Sequence, residues 1–255
     1  MTARNNALTQ GMTLTWRSLV PLRNQPGELV QLLLQPIFMI VIFVVVFGAM
    51  TGDQGGAVQH LLPGVLTQVA LTQTISTGLK LAEDIGNGVF DRFKSMPIAR
   101  SAPLIGRILA DTCTMTLTVA VALAVGAVVG FRIRTSPLEA LAGVALLLTF
   151  TLALGWVSAW LGLRAKSAAS MQGLATAVLL PLTFGSTALI PAANLPGVLR
   201  WWSTLNPVSH LADSMRALFT GGPAGAHIWI TLGWAAAITA CFVPLAVRAY
   251  SKRIR

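Results

Sequence analysis

Charge is scarce in this chain. Only 10% of its 255 residues are Asp, Glu, Lys or Arg, against about 25% in soluble domains. With 55% apolar residues the mean hydropathy reaches +0.72, which excludes a soluble globular domain. Acidic residues are scarcest, 8 against 18 basic ones, yet the net charge of +10 does not describe a nucleic-acid surface. The bases stand at the ends of apolar runs and not on one polar face. Cysteine is limited to Cys113 and Cys241, both inside apolar runs, so no disulfide framework or metal site is expected and both read as small core thiols. No Gly-Lys pair occurs. The phosphate-binding loop G-x-x-x-x-G-K-[ST] is therefore missing, and ATP is not expected to bind here in the usual way. No apolar run carries a charge at its centre. Glu28, Glu83, Asp84, Asp111, Glu139 and Asp213 fall near run ends or outside, which argues against a built-in proton relay; a buried Asp111 would keep that idea alive. No signal peptide is expected, because the first apolar run begins near Leu29 and no convincing cleavage site follows it.

Long apolar runs are what the chain does have. They lie at about 29–50, 61–82, 108–130, 138–163, 171–190 and 227–248, each near the ~20 residues a helix needs to cross a bilayer core. They predict an all-α membrane protein with six transmembrane helices and both termini on one side. Residues 1–27 are too polar to insert. Leu8, Met12, Trp16 and Leu19 recur there at near-helical spacing, and Pro21 and Pro26 close the stretch, which predicts an amphipathic helix lying in the membrane interface. Residues 28–255 then form a single six-span domain. A cytoplasmic N-terminus puts all of the 18 bases except Arg132, Arg134, Arg200 and Arg216 on the cytoplasmic side, the bias of the positive-inside rule.

Two stretches between the runs carry the functional argument. The first, 84–107, separates the second and third runs. Val89, Phe93 and Met96 stand at i, i+4 and i+7, making an amphipathic helix from Asn87 to Met96 that Pro97 stops. A charged finger that leaves the bilayer and returns suits docking to a soluble partner. Val89, Phe90, Arg92, Phe93, Lys94, Met96, Pro97 and Arg100 are its candidate coupling residues; an ordinary positive-inside loop is the competing reading. The second stretch, 191–226, is too apolar for a free loop. Pro196, Pro207 and Pro223, with Gly221 and Gly222, cut it into pieces of roughly eleven residues, a length that fits an extracellular re-entrant helical hairpin packed over the outer end of the bundle. Leu195, Leu199 and Trp202 make one apolar stripe, Leu211, Met215 and Leu218 the next, with a break at Asn206 and Pro207. An outer gate is expected from Leu195, Pro196, Trp202, Asn206, Pro207, Asp213 and Arg216.

Within the spans, Gln68, Thr72 and Ser76 form a polar face on the second run. That face reads as a substrate path or as interhelical hydrogen bonding, and both can hold at once. Met39, Phe43 and Phe47 on the first run, and Thr183, Phe184 and Thr187 on the fifth, suit a greasy, adaptable wall of such a path, or plain helix packing. Gly126 and Gly130 are a G-x-x-x-G pair and read as packing. His60, His210 and His227 are far apart in sequence and outside the spans, so no metal site is expected. Trp201 and Trp202 sit where an aromatic interface belt belongs.

Taken in order, these features resemble the type-2 ATP-binding-cassette export permeases, especially the daunorubicin-resistance branch of actinobacterial drug and lipid exporters. The likeness covers nearly the whole chain. It is carried by Asp91-Arg92-Phe93-Lys94-Ser95-Met96-Pro97-Ile98-Ala99-Arg100 with Gly106-Arg107 and Asp111. A second set follows: Pro191, Leu195-Pro196, Trp201, Asn206-Pro207, Asp213, Arg216 and Gly221-Gly222-Pro223. The resemblance implies a permease subunit and not an enzyme, in a bacterial inner membrane with both termini cytoplasmic. It implies a second permease chain, identical or related, and two copies of a separate ATPase subunit that bind the ATP and Mg, leaving this chain with no cofactor of its own. It also implies that the segment around Val89 to Met96 enters a groove on the ATPase and that the first, second and fifth spans border the path. The expected cargo is a hydrophobic or amphipathic compound, whether drug, antibiotic or lipid, moved outward. A lipid-linked glycan exporter of the same fold would need an aromatic-lined conduit, for which a chain with Tyr250 as its one tyrosine is poorly supplied. A proton-coupled drug antiporter and a non-transporting membrane scaffold complete the alternatives.

Overall fold

The computed structural model describes residues 26–51, 54–88, 102–223 and 225–254. Over these residues there are eight α-helices, one 3₁₀ turn at Ala192–Asn194 and no strand. The helices are α1 (Pro26–Thr51), α2 (Gln54–Gly86), α3 (Ala102–Val129), α4 (Pro137–Arg164), α5 (Ala168–Phe184), α6 (Gly197–Leu205), α7 (Pro207–Thr220) and α8 (His227–Ile254). Residues 1–25, which carry most of the expected interfacial helix, lie outside the described residues.

Local chemistry sets the helix ends. Ser136 begins α4 with a reciprocal capping box to Glu139 and Pro137 in the first turn. Ser167 does the same for α5 through Ser170. Asn206 caps α7, its side chain accepting the Val208 N–H, and Gly221 closes that helix at φ 82°, a left-handed conformation that suits a residue without Cβ. Gly130, expected to be half of a packing pair, instead follows the end of α3 at φ 110°. Its partner Gly126 does pack: a Cβ there would press into Leu62 of α2.

Among the described residues three helical stretches are long and apolar enough to cross a membrane: Gly106–Val129, Pro137–Arg164 and His227–Lys252. α1 and α2, with 26 and 33 residues, also have spanning length. α2 runs well past the expected 61–82 at both ends. α5 is the opposite case, since its 17 residues reach only about 26 Å at 1.5 Å per residue. It stops at Phe184, short of the expected 190, where the Gly185 N–H turns back to Pro181 O and the Ser186 hydroxyl to Thr183 O.

α2 is the central helix, touching α1, α3, α4, α5 and α7, while α4 packs on α2 and α8. α2 and α4 cross at backbone contact: a Cβ on Gly162 would run into Gly78 O, and the Gly78 N–H donates to Ser158 Oγ at 3.1 Å. The main core lies towards the end of the bundle where α3 passes into α4. There Leu62 and Leu66 of α2 meet Leu147 and Phe150 of α4 and Leu211, Met215 and Phe219 of α7. This is the hairpin end. A smaller core at the opposite end joins Leu81, Ile108, Leu163 and Tyr250. Cys113 and Cys241, expected in the core, lie on exposed helix faces. Lipid is as apolar as the interior, so an apolar run does not say which of its faces is turned inward.

Candidate functional site

Two polar assemblies stand out from the apolar bundle. The first is a cleft of about 420 Å³ between α2 and α3, completed by Gln35 of α1 and Thr151 and Gly155 of α4. Hydroxyl side chains line one part of it, among them Thr72, Ser76 and Thr114, and charged ones the other, namely Lys80, Glu83, Arg107 and Asp111. Thr77 Oγ1 donates to Asp111 Oδ2 at 2.6 Å, and Arg107 Nε stands 3.4 Å from the same oxygen. α2 ends and α3 begins on either side of residues 89–101, so the charged part of the cleft sits at the roots of the expected docking segment.

The second assembly ties the hairpin to the bundle. Arg216 of α7 donates from Nη1 to Asp213 Oδ1 at 2.7 Å and from Nη2 to Thr187 O and Ala188 O, both at 2.7 Å. Its Nε reaches His60 O on α2 at 3.1 Å. Asp213 also accepts from Thr187 Oγ1. Burial pulls the Arg216 pKa below its ordinary value, and the Asp213 carboxylate works against that pull. One guanidinium fork thus joins three segments, a geometry that a lysine does not offer. Asn206 acts likewise at the next corner. Its Nδ2 donates to Leu182 O and Gly185 O at the end of α5 while its Oδ1 caps α7, and Trp202 Nε1 reaches Pro181 O at 3.3 Å. A close approach fixes the same region, since a Cβ on Gly64 of α2 would overlap Ala188 O.

The predicted residues fall into distinct places. Thr72 and Ser76 line the cleft; Gln68 does not, although its carbonyl receives the Thr72 hydroxyl. Gln73 Nε2 bonds Thr118 Oγ1 of α3 at 2.8 Å, so the polar face of α2 both faces the cleft and bonds between helices. Met39 and Phe43 pack against the main core. Phe47 belongs to α1, but its side chain lies outside the described residues. Thr183 and Thr187 are buried and Phe184 is 65% exposed, so the fifth-span trio does not share one surface with Thr72 and Ser76. In the hairpin Leu195 and Asn206 are buried, Pro196 and Trp202 exposed, and Pro207 takes the first position of α7. Val89, Phe90, Arg92, Phe93, Lys94, Met96, Pro97 and Arg100 lie outside the described residues.

Sequence reasoning missed Thr77 and Arg107 as partners of Asp111, and Thr114 as part of the cleft lining. It also missed that His210 and His227 meet, with Nδ1 atoms 3.0 Å apart. The only sequence signal for the first group was a threonine-rich face on two successive runs. For the second there was none. No group of three or more metal-ligating side chains occurs among the described residues.

The family model of the ABC-2 type transporter matches residues 9–220. The daunorubicin resistance ABC transporter permease protein DrrB1 of Streptomyces coeruleorubidus is 30% identical over 252 residues, covering 98% of this chain and 89% of the relative. The probable doxorubicin resistance ABC transporter permease protein DrrC of Mycobacterium tuberculosis is 27% identical over 218 residues, covering 83% and 79%. A putative transport permease, ycf38 of Cyanophora paradoxa, is 25% identical over 211 residues, covering 80% and 72%. With a family match over most of its length and a relative similar from end to end, the chain belongs to the ABC-2 type transporter family as a multi-pass membrane permease subunit.

Proposed function

We propose that this chain is the six-span permease subunit of an exporter that moves hydrophobic or amphipathic compounds outward across a bacterial inner membrane. ATP and Mg are bound and ATP is hydrolysed by a separate ATPase subunit, present in two copies. The chain pairs with a second permease chain, and both of its termini face the cytoplasm. The observation that carries the reading is the position of the cleft. It opens between α2 and α3, the two helices flanking residues 89–101, so a push on that segment bears directly on the cleft walls. Support comes also from relatives whose names record resistance to daunorubicin and doxorubicin. At the other end, the Asp213–Arg216 pair clamps α7 onto α2 and the 186–190 turn, which suits a gate that yields only when the bundle moves.

The test is co-purification of the chain with its ATPase subunit, followed by ATP turnover in lipid nanodiscs with and without a panel of amphipathic drugs and lipids. A stable complex whose turnover rises several-fold with some compounds is the expected result. One observation favours a second reading: Asp111 is an ionisable group lining the cleft, as a proton-coupled antiporter would need. Uptake driven by a pH gradient in vesicles that lack any ATPase would replace the exporter reading with that one.

A further inference from the structure

The hydrogen bonds of the cleft lining run in one sense. Thr72 Oγ1 donates to Gln68 O, Ser76 Oγ to Gln73 O, Thr112 Oγ1 to Ile108 O, Thr114 Oγ1 to Ala110 O and Thr151 Oγ1 to Leu147 O, at 2.7 to 3.0 Å. A hydroxyl has one proton to give and two lone pairs. Each of these oxygens has therefore spent its donor on its own helix and keeps only accepting capacity. One of the two Gln73 amide N–H donors goes to Thr118. Asp111 adds a charged acceptor: among the described residues its partners Thr77 and Arg107 take Oδ2, and no hydrogen bond reaches Oδ1. The cations Lys80 and Arg107 are balanced by Glu83 and Asp111, so the charged part of the lining carries no net charge. Leu79, Ile108, Met115 and Leu152 supply apolar wall beside these groups, and about 420 Å³ suits a drug-sized guest.

We infer that this cleft, within one subunit, binds the donor-rich head of an amphipathic compound. A primary ammonium fits best, with Asp111 Oδ1 as its charge partner and the threonine and serine oxygens as further acceptors. The inference rests on the exporter reading for the fate of the guest, but binding can be measured without transport. Octylammonium and octyltrimethylammonium share charge and tail, and only the first has N–H donors. Their binding to the full chain in nanodiscs is read by calorimetry after subtraction of protein-free discs.

The expected result is that octylammonium binds about tenfold more tightly than octyltrimethylammonium, the margin of a charge-assisted hydrogen bond. Asp111→Asn and Thr114→Val should each cut that preference to about twofold or less, while Thr114→Ser, which keeps the acceptor, retains it. Should Asp111→Asn fail to fold, the Val and Ser variants at 114 decide alone. Equal binding of the two probes, or an undiminished preference in Asp111→Asn or Thr114→Val, would overturn the inference. Selective binding that never alters ATP turnover in the assembled complex would count against the exporter reading and leave the site standing.

Discussion

Arg216 concentrates more of the hairpin's attachment than any neighbouring side chain, since its guanidinium bonds Asp213 and three backbone carbonyls on two other segments. Arg216→Ala leaves those carbonyls and the Asp213 carboxylate without it, and we expect a loss of about 3 kcal/mol, seen as a lower midpoint in thermal unfolding of the purified chain. Arg216→Lys keeps the charge but not the fork and should recover less than half of that loss. A midpoint in Arg216→Ala equal to that of the unaltered chain would remove the clamp from the account. The histidine pair permits a second residue-level expectation. His210 Nε2 faces Thr204 O at 3.0 Å, and a carbonyl only accepts, so His210 carries its proton on Nε2. Its Nδ1 then accepts, and His227 must donate from Nδ1 across the 3.0 Å contact. Nitrogen chemical shifts of labelled imidazoles should report opposite tautomers for the two rings; the same tautomer in both would contradict the geometry. The sequence placed Asp213 and Arg216 in the hairpin through the signature it shares with the resembling family, and not as a pair. It did not bring His210 to His227, since their meeting depends on how α7 and α8 pack.

At the scale of elements, the α2–α4 crossing is a backbone-to-backbone joint that depends on two glycines and a serine. Gly162→Ala places a methyl group against the backbone of Gly78, and since backbone cannot rotate away, we expect a loss of about 1–3 kcal/mol. Gly233→Ala on α8, where an added Cβ meets nothing within 4 Å, is the matched control and should shift stability by no more than about 0.5 kcal/mol. Equal melting of both variants would show that the crossing tolerates separation. The hairpin breaks were legible: Pro196, Asn206, Pro207 and Gly221 stand at the ends of α6 and α7, where their chemistry predicts. The early end of α5 was not. Residues 185–190 are as apolar as a span, and only tertiary hydrogen bonds to Ser209, Asp213 and Arg216 show why they turn instead. The cleft was half legible: the polar face of α2 is visible as spacing, whereas Thr77 meeting Asp111 across 34 residues depends on the register of α2 against α3.

At the scale of the whole molecule, the two assemblies occupy different parts of the bundle. The cleft's charged residues lie at the roots of the 89–101 segment, and the Arg216 clamp lies at the hairpin end, with α2 running between them. A motion applied at one end of α2 can reach the other through a continuous helix of 33 residues. Scarce charge and long apolar runs were enough to read a membrane protein from the sequence, and the two interrupting stretches carried the resemblance that implied a permease. The acceptor character of the cleft was not legible there, because it depends on which hydroxyl protons are already spent on backbone carbonyls. The central claim is that energy enters through the segment around Arg92 and Phe93. Its most direct test is ATP-driven uptake of an amphipathic drug by inside-out proteoliposomes that contain this chain and its ATPase, with and without the double substitution Arg92→Ala and Phe93→Ala. The account predicts normal membrane insertion of the double variant, uptake reduced about tenfold or more, and ATP turnover that no longer responds to the drug. Uptake and drug-stimulated turnover at the level of the unaltered protein would contradict it.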